Sequence, residues 1–270
     1  MNCTEKNTVL FSAASYPHTG LFAVIGQFVK SARKFGYPIH FLNYKNNWTS
    51  FLDVKFKAVI DKLDYFQQQG IEYLVWCDAA DTVCVKPFSD FIRQAQQVYP
   101  PQETLLTATD WNYPYSVGVA NDEPAFQALG HKLSDGLSPG YCCMGLMVGH
   151  IDAYKAHYAA LKLAHDRWRT DKVSFIQGLK VTHLSQLTAQ ALDRGCDQTL
   201  TNIVLMKNKM AAVPDIMCRL LANYVGQRLV TLPEMRVAKE QHLNIGEACI
   251  LHGSPAFRLG NPLDNFINIL

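Results

Sequence analysis

The stretch Tyr73-Leu74-Val75-Trp76-Cys77-Asp78-Ala79-Ala80-Asp81-Thr82-Val83 constrains the fold of this chain more than any other. An apolar block of Tyr, Leu, Val and Trp ends abruptly in two aspartates. A short block of these residue types reads as a buried strand. A buried strand does not hold ionised carboxylates inside itself, because an unpaired charge is costly to take out of water. Asp78 and Asp81 therefore belong where the strand leaves the sheet. In an α/β sheet that carboxyl end is where ligands bind. Two carboxylates converging there suit a hard cation, Mg²⁺ or Mn²⁺, that bridges a diphosphate. The structural alternative is a plain turn, with Asp78 capping it and Asp81 facing solvent.

The flanking segments alternate in period. Thr8 to Ala14 reads as a first strand. Leu21 to Phe35 carries apolar residues at helical spacing and stops at Gly36. Pro38 to Leu42 reads as a second strand. Lys55 to Gln69 is a helix with Phe56, Val59, Ile60, Leu63 and Phe66 on one stripe, closed by Gly70. After the strand Ile71 to Cys77 come a helix (Phe88 to Val98), a strand (Leu105 to Ala108), a strand (Met144 to Gly149) and a long helix from Ile151 to about Arg169. The alternation predicts an α/β fold with a mainly parallel sheet and crossover helices, as one domain over residues 1–270. Beyond Asp171 the pattern loosens. It still predicts a helix over Leu184 to Asp193, another from Asp197, and short strands around Arg228 to Val237.

At 270 residues the chain is long enough to bury a full core. A net charge of +2 gives no electrostatic case for a nucleic-acid or membrane surface. No apolar run reaches the roughly 20 residues a membrane span needs, and the first residues lack a basic-then-apolar signal pattern. The eight cysteines form no CxxC pair, and several lie in apolar, strand-like surroundings. Buried free thiols in a reducing cytoplasm are the expectation, rather than a disulfide framework or a zinc site.

Gly-rich phosphate loops are missing. The first strand leads into Ser15-Tyr16-Pro17-His18-Thr19-Gly20, which fits neither GxGxxG nor a P-loop. A nucleotide bound here would need a metal against its phosphates, and the aspartates supply the ligands. His252-Gly253 follows the apolar Ala248-Cys249-Ile250-Leu251. A neutral imidazole is an acceptable third ligand for Mn²⁺, and Gly253 lets the backbone approach a phosphate. Alone, a histidine there is a surface or capping residue. Asp197-Gln198 opens a helix, which fits an N-cap and equally a carboxylate turned into a sugar pocket. Trp48 follows a polar loop and reads as core or as a platform for a base. Lys57, on the next helix, reads as a solvated face or as a point charge for a phosphate. Asp110-Trp111-Asn112-Tyr113-Pro114-Tyr115 mixes aromatic and polar groups as the wall of a sugar site does, or as a structural loop does.

In this order the motifs resemble the GT-A glycosyltransferases, most closely the glycosyltransferase domain of procollagen lysyl hydroxylases, over almost the whole chain. Val75-Trp76-Cys77-Asp78-Ala79-Ala80-Asp81 stands where that family has a strand ending in Asp-x-x-Asp. The resemblance implies a Rossmann-like GT-A fold, with Asp78, Asp81 and His252 as ligands of Mn²⁺ (or Mg²⁺). It also implies that Trp48 packs on the uridine and that Lys57 is the basic residue of the following helix. Ser15, Asp78 and Gly253 are the further residues expected to contact the nucleotide sugar. Cys196-Asp197-Gln198 replaces an acidic pair before Gln, so only the second carboxylate is kept. Tyr141-Cys142-Cys143-Met144-Gly145 replaces an Asn-Ser-Gly-Gly turn, and Cys142 lacks the asparagine amide.

The expectation is a cytoplasmic, metal-dependent transferase that moves a sugar from a UDP-sugar to a hydroxyl acceptor, with Asp197 and Asp110 as the catalytic candidates. The acceptor is a protein side chain, a glycan or a hydroxymethylated nucleobase. Two other readings stay open: a nucleotidyltransferase on a related fold, and a non-catalytic module that binds a nucleotide sugar. The first usually carries a basic, Gly-rich loop that Ser15 to Gly20 lacks. The second is favoured by the losses at Cys142 and Cys196, and opposed by retention of both aspartates and the histidine.

Overall fold

The computed structural model describes residues 2–14, 21–43, 51–79, 82–98, 104–110, 141–179, 184, 186–208, 212–215, 220–223 and 247–252. The predicted short strands around Arg228 to Val237 lie outside these residues. The strands are β1 (Thr8–Ala14), β2 (Ile39–Asn43), β3 (Tyr73–Cys77), β4 (Thr82–Cys84), β5 (Leu105–Asp110), β6 (Tyr141–His150), β7 (Ala212–Pro214), β8 (Leu221–Asn223) and β9 (Ile250–His252). The helices are α1 (Leu21–Lys34), α2 (Phe51–Gln68), α3 (Phe88–Val98), α4 (Ile151–Thr170), α5 (Lys172–Leu179), α6 (Gln186–Asp193) and α7 (Asp197–Asn208). Helix α5 was not anticipated: at eight residues it is too short for its apolar side chains to establish a period.

Six strands form a central sheet in the order β2-β1-β3-β6-β5-β7, with helices packed on it. The fold is mixed α/β with a mostly parallel sheet. Strands β1, β2 and β3 run parallel, as do β5 and β7. Strand β6 runs antiparallel to both its neighbours, β3 and β5. Residue types do not reveal strand direction, so this reversal is invisible in the sequence. A second, three-stranded sheet has the order β4-β9-β8.

The central strand β3 is covered on both faces, as its unbroken apolar run requires. Leu74 and Trp76 enter the core under α2 and α4; Tyr73, Val75 and Cys77 enter the one under α1 and α3. Trp76 meets Phe11 of β1 edge-on, with centroids 5.4 Å apart, and Phe11 meets Phe66 of α2 at 5.2 Å. Such edge-to-face pairs add to burial because ring edges are electropositive and faces electronegative.

Two helix ends set up the strand and the helix that matter most below. Gly70 ends α2 at φ 76°, a left-handed conformation that costs glycine little. Ile71 N–H then bonds Phe66 C=O at 3.0 Å, and the chain turns directly into β3. Gly195 ends α6 in the same way at φ 64°, with Cys196 N–H on Ala191 C=O at 2.9 Å, and α7 begins at once with Asp197. Among the described residues no helix is long and apolar enough to cross a membrane.

Candidate functional site

The site is built around the exit of β3. The strand ends at Cys77, whose carbonyl accepts a 2.6 Å bond from Ser12 Oγ of β1. Asp78 takes one more step along β6: its N–H bonds Gly145 C=O at 2.8 Å. Thr82 Oγ then donates to Asp78 C=O at 2.7 Å. The turn leads into β4, which pairs antiparallel with β9, and in that ladder Thr82 stands opposite His252. The histidine, remote in sequence, is thus held beside the residue that follows Asp81. Strand β9 is anchored on its other edge by β8, where Asn223 stands opposite His252. Asp215 supports β8 in turn, its carboxylate accepting from Leu220 and Leu221 N–H at 2.7 and 2.9 Å.

The His252 side chain is buried and lies on β6. Its Nδ1 is 3.5 Å from Cys143 Sγ. Its ring covers the α-carbon of Gly145: a methyl group added there would lie 2.9 Å from Cδ2 and closer still to Cε1 and Nε2. Strand β6 is irregular at this point. Its register against β5 passes from Met147 opposite Thr107 to Cys143 opposite Ala108, so residues 144–146 bulge out of that ladder. Bulges re-aim a strand next to sites of this kind.

Helix α7 grips the same segment. Asn202 accepts from Cys142 N–H at 2.9 Å and donates to Cys142 C=O at 3.0 Å, so one side-chain amide pairs with one peptide as a neighbouring strand would. One turn earlier, Gln198 Oε1 accepts from Met144 N–H at 3.3 Å. Asp197 opens the helix, is buried, and accepts from Gln198 N–H at 2.9 Å. Beneath it, in α4, His157 is wholly buried, with Nε2 3.4 Å from Thr201 Oγ. Burial pushes the His157 pKa down to about 4, against a smaller upward pull from Asp197, so the imidazole is neutral near pH 7. Burial likewise pushes the Cys142 thiol up to about 11. A protonated, buried thiol is a poor nucleophile.

Of the residues singled out in the sequence, the structure brings the backbone of Asp78 and the imidazole of His252 to one bulge of β6. Asp197 lies one helix away, at the start of α7. Ser15, Trp48, Asp81 and Gly253 lie outside the described residues. Lys57 falls within α2 and Asp110 closes β5, and only their backbones are described. Among the described residues no group of three or more His, Cys, Asp or Glu side chains gathers as metal ligands. Sequence reasoning missed Asn202, and it read Gln198 only as the partner of a helix cap. It also gave no weight to Gly145 inside a strand, the signal that marks a bulge or a close approach.

No protein-family model and no curated protein sequence matches the chain. Among solved structures it is similar to the crystal structure of a glycosyltransferase involved in the glycosylation of the major capsid of PBCV-1. The match covers 97% of this chain and 99% of that one, at 13% identity and a TM-score of 0.46. A likeness that remote says nothing of what this chain does.

Proposed function

We propose that this protein is a metal-dependent glycosyltransferase that moves a sugar from a UDP-sugar to a hydroxyl acceptor. One observation carries the reading: the turn that opens with Asp78, at the exit of a central strand, is laddered through Thr82 to His252. Two carboxylates from one turn and an imidazole from the strand paired beside it would make a donor set for Mn²⁺ or Mg²⁺ that leaves coordination positions for phosphate oxygens. The motif order described above, similar to that of the GT-A transferases, supports the same reading. When bound, the metal would offset charge on the departing diphosphate.

In this reading Asp78, Asp81 and His252 hold the metal. Trp48 stacks on uracil, Lys57 faces a phosphate, and Ser15 and Gly253 lie along the diphosphate. Asp197 and Asp110 orient the sugar or take the acceptor's proton. The buried thiols Cys77, Cys84, Cys142 and Cys143, none in a disulfide, support a reducing, cytoplasmic setting.

The test is calorimetry of UDP binding with Mn²⁺ and with a chelator, followed by release of UDP from a panel of UDP-sugars. The expected result is much tighter binding with Mn²⁺, lost in Asp81→Ala while the variant stays folded. Equal affinity in metal and chelator would overturn the metal bridge. Tight metal-linked binding with no turnover of any donor would leave a nucleotide-sugar-binding module in place of an enzyme.

A further inference from the structure

We propose that Gly145 and Cys143 are positioning residues for His252, forming a seat on β6 that fixes where the imidazole lies and which ring nitrogen keeps its lone pair. Gly145 is not needed for backbone reasons. It is not among the glycines with positive φ, so an L residue could adopt its conformation. What excludes a side chain is the His252 ring, which occupies the space a Cβ would take. The same residue also holds Asp78, through its carbonyl. Gly145 therefore anchors both site residues, one by the group it has and one by the group it lacks.

Cys143 supplies the second constraint. Its buried sulfur faces Nδ1 at 3.5 Å, while Nε2 lies over Gly145. A neutral imidazole carries one N–H, and the partner of one nitrogen decides the state of the other. With Nδ1–H donating to the sulfur, the lone pair is left on Nε2. The ladder fixes the histidine backbone opposite Thr82, and the seat fixes its ring.

The lone-pair part rests on the proposed role of His252 as a metal ligand, so the test separates the two. Thermal unfolding of Gly145→Ala, His252→Ala and the double variant reads the seat alone. Gly145→Ala should lower the melting temperature by roughly 5 °C, the scale of one overpacked methyl in a chain of this size. In the His252→Ala background the same substitution should cost almost nothing. An equal loss in both backgrounds would overturn the seat. Nitrogen-15 NMR of the histidine side chains at pH 8 reads the tautomer. Wild type and Cys143→Ser should hold the Nδ1–H form, and Cys143→Ala should lose that preference; an unchanged tautomer in Cys143→Ala would overturn the thiol's part. UDP titration with Mn²⁺ reads the metal role. If His252→Ala leaves metal-linked affinity intact while the unfolding cycle shows coupling, the metal-ligand role of His252 fails and the seat stands. If affinity falls in His252→Ala but the cycle shows no coupling, the seat fails and the function stands.

Discussion

The two halves of β6 satisfy their backbone in different ways. From Leu146 to His150 the strand is flanked on one edge by β3, and Met147 and Val148 also pair with β5. From Tyr141 to Gly145 it has run past the end of β3; Tyr141, Cys142 and Cys143 still pair with β5 and Gly145 C=O still accepts from Asp78 N–H, but on the edge that β3 vacates side chains take over. Asn202 and Gln198 of α7 serve Cys142 and Met144, while His252 covers Gly145. Backbone ladders are indifferent to residue identity, whereas side-chain clasps depend on it. The chemistry-bearing residues gather in the second half, where α7 and β9 reach the strand through particular side chains.

The comparison is broken or sharpened by four measurements. Leu146→Ala, at a wholly buried position of the laddered half, should destabilise the protein by about 2–5 kcal/mol in urea unfolding, the usual cost of a leucine-sized cavity. A loss below about 1 kcal/mol would mean that the ladder, not packing, carries this half.

Acid tests the support behind the clasped half. The folded-state pKa of His157, about 4, lies below its ordinary value of 6.5. The unfolded chain therefore takes up a proton first as pH falls. The contribution of the neutral, buried ring is complete above pH 6.5 and is lost on going down towards pH 4. The effect is on the order of 3 kcal/mol. Unfolding of wild type and His157→Gln at pH 7 and pH 4 should show the wild type losing more on acidification. Equal pH dependence would remove the buried ring as the cause.

Asn202→Ala leaves both polar groups of the Cys142 peptide without their amide, at a cost of about 1–3 kcal/mol. Hydrogen exchange should speed up at the Cys142 amide and not at Val148. Uniform acceleration along β6 would erase the distinction between the halves. The smallest effect belongs to Gln198→Ala. Its bond to Met144 is long and only partly buried, so a loss of about 0.5–1.5 kcal/mol by chemical denaturation is expected. A cost matching that of Asn202→Ala would mean that both amides bear equally on the bulge.

What could be read in advance follows from what the residues encode locally. The span of β1 and the span of α3 are as the apolar periodicity predicts, because burial on one face or two leaves a direct pattern. Helix α2 begins at Phe51, a turn earlier than its stripe suggests, since its first turn is set by contact rather than by period: Leu52 N–H bonds Gly195 C=O at 2.8 Å. Strand β6 begins at Tyr141, earlier than Met144, because its first three residues pair with Ala108, Thr109 and Asp110 of β5 and are clasped from α7. The three-residue strands β4, β7, β8 and β9 are too short to show any period. At the site, the Asp78 turn was legible because charge follows a buried run without transition. The seat on Gly145 was not, because what matters there is the absence of a side chain opposite a residue far along the chain.

The pairing of Thr82 with His252 also sets a schedule. Closing so long a loop is entropically costly, and it cannot happen until the distal strand exists. On a ribosome adding about 5–20 residues per second, the roughly 170 residues between the two strands take on the order of 10–30 s to appear. In that interval the nascent chain can fold β1, β2 and β3 against α1 and α2, yet the aspartate turn waits without its histidine. Completion of the site is thereby tied to the synthesis of β9.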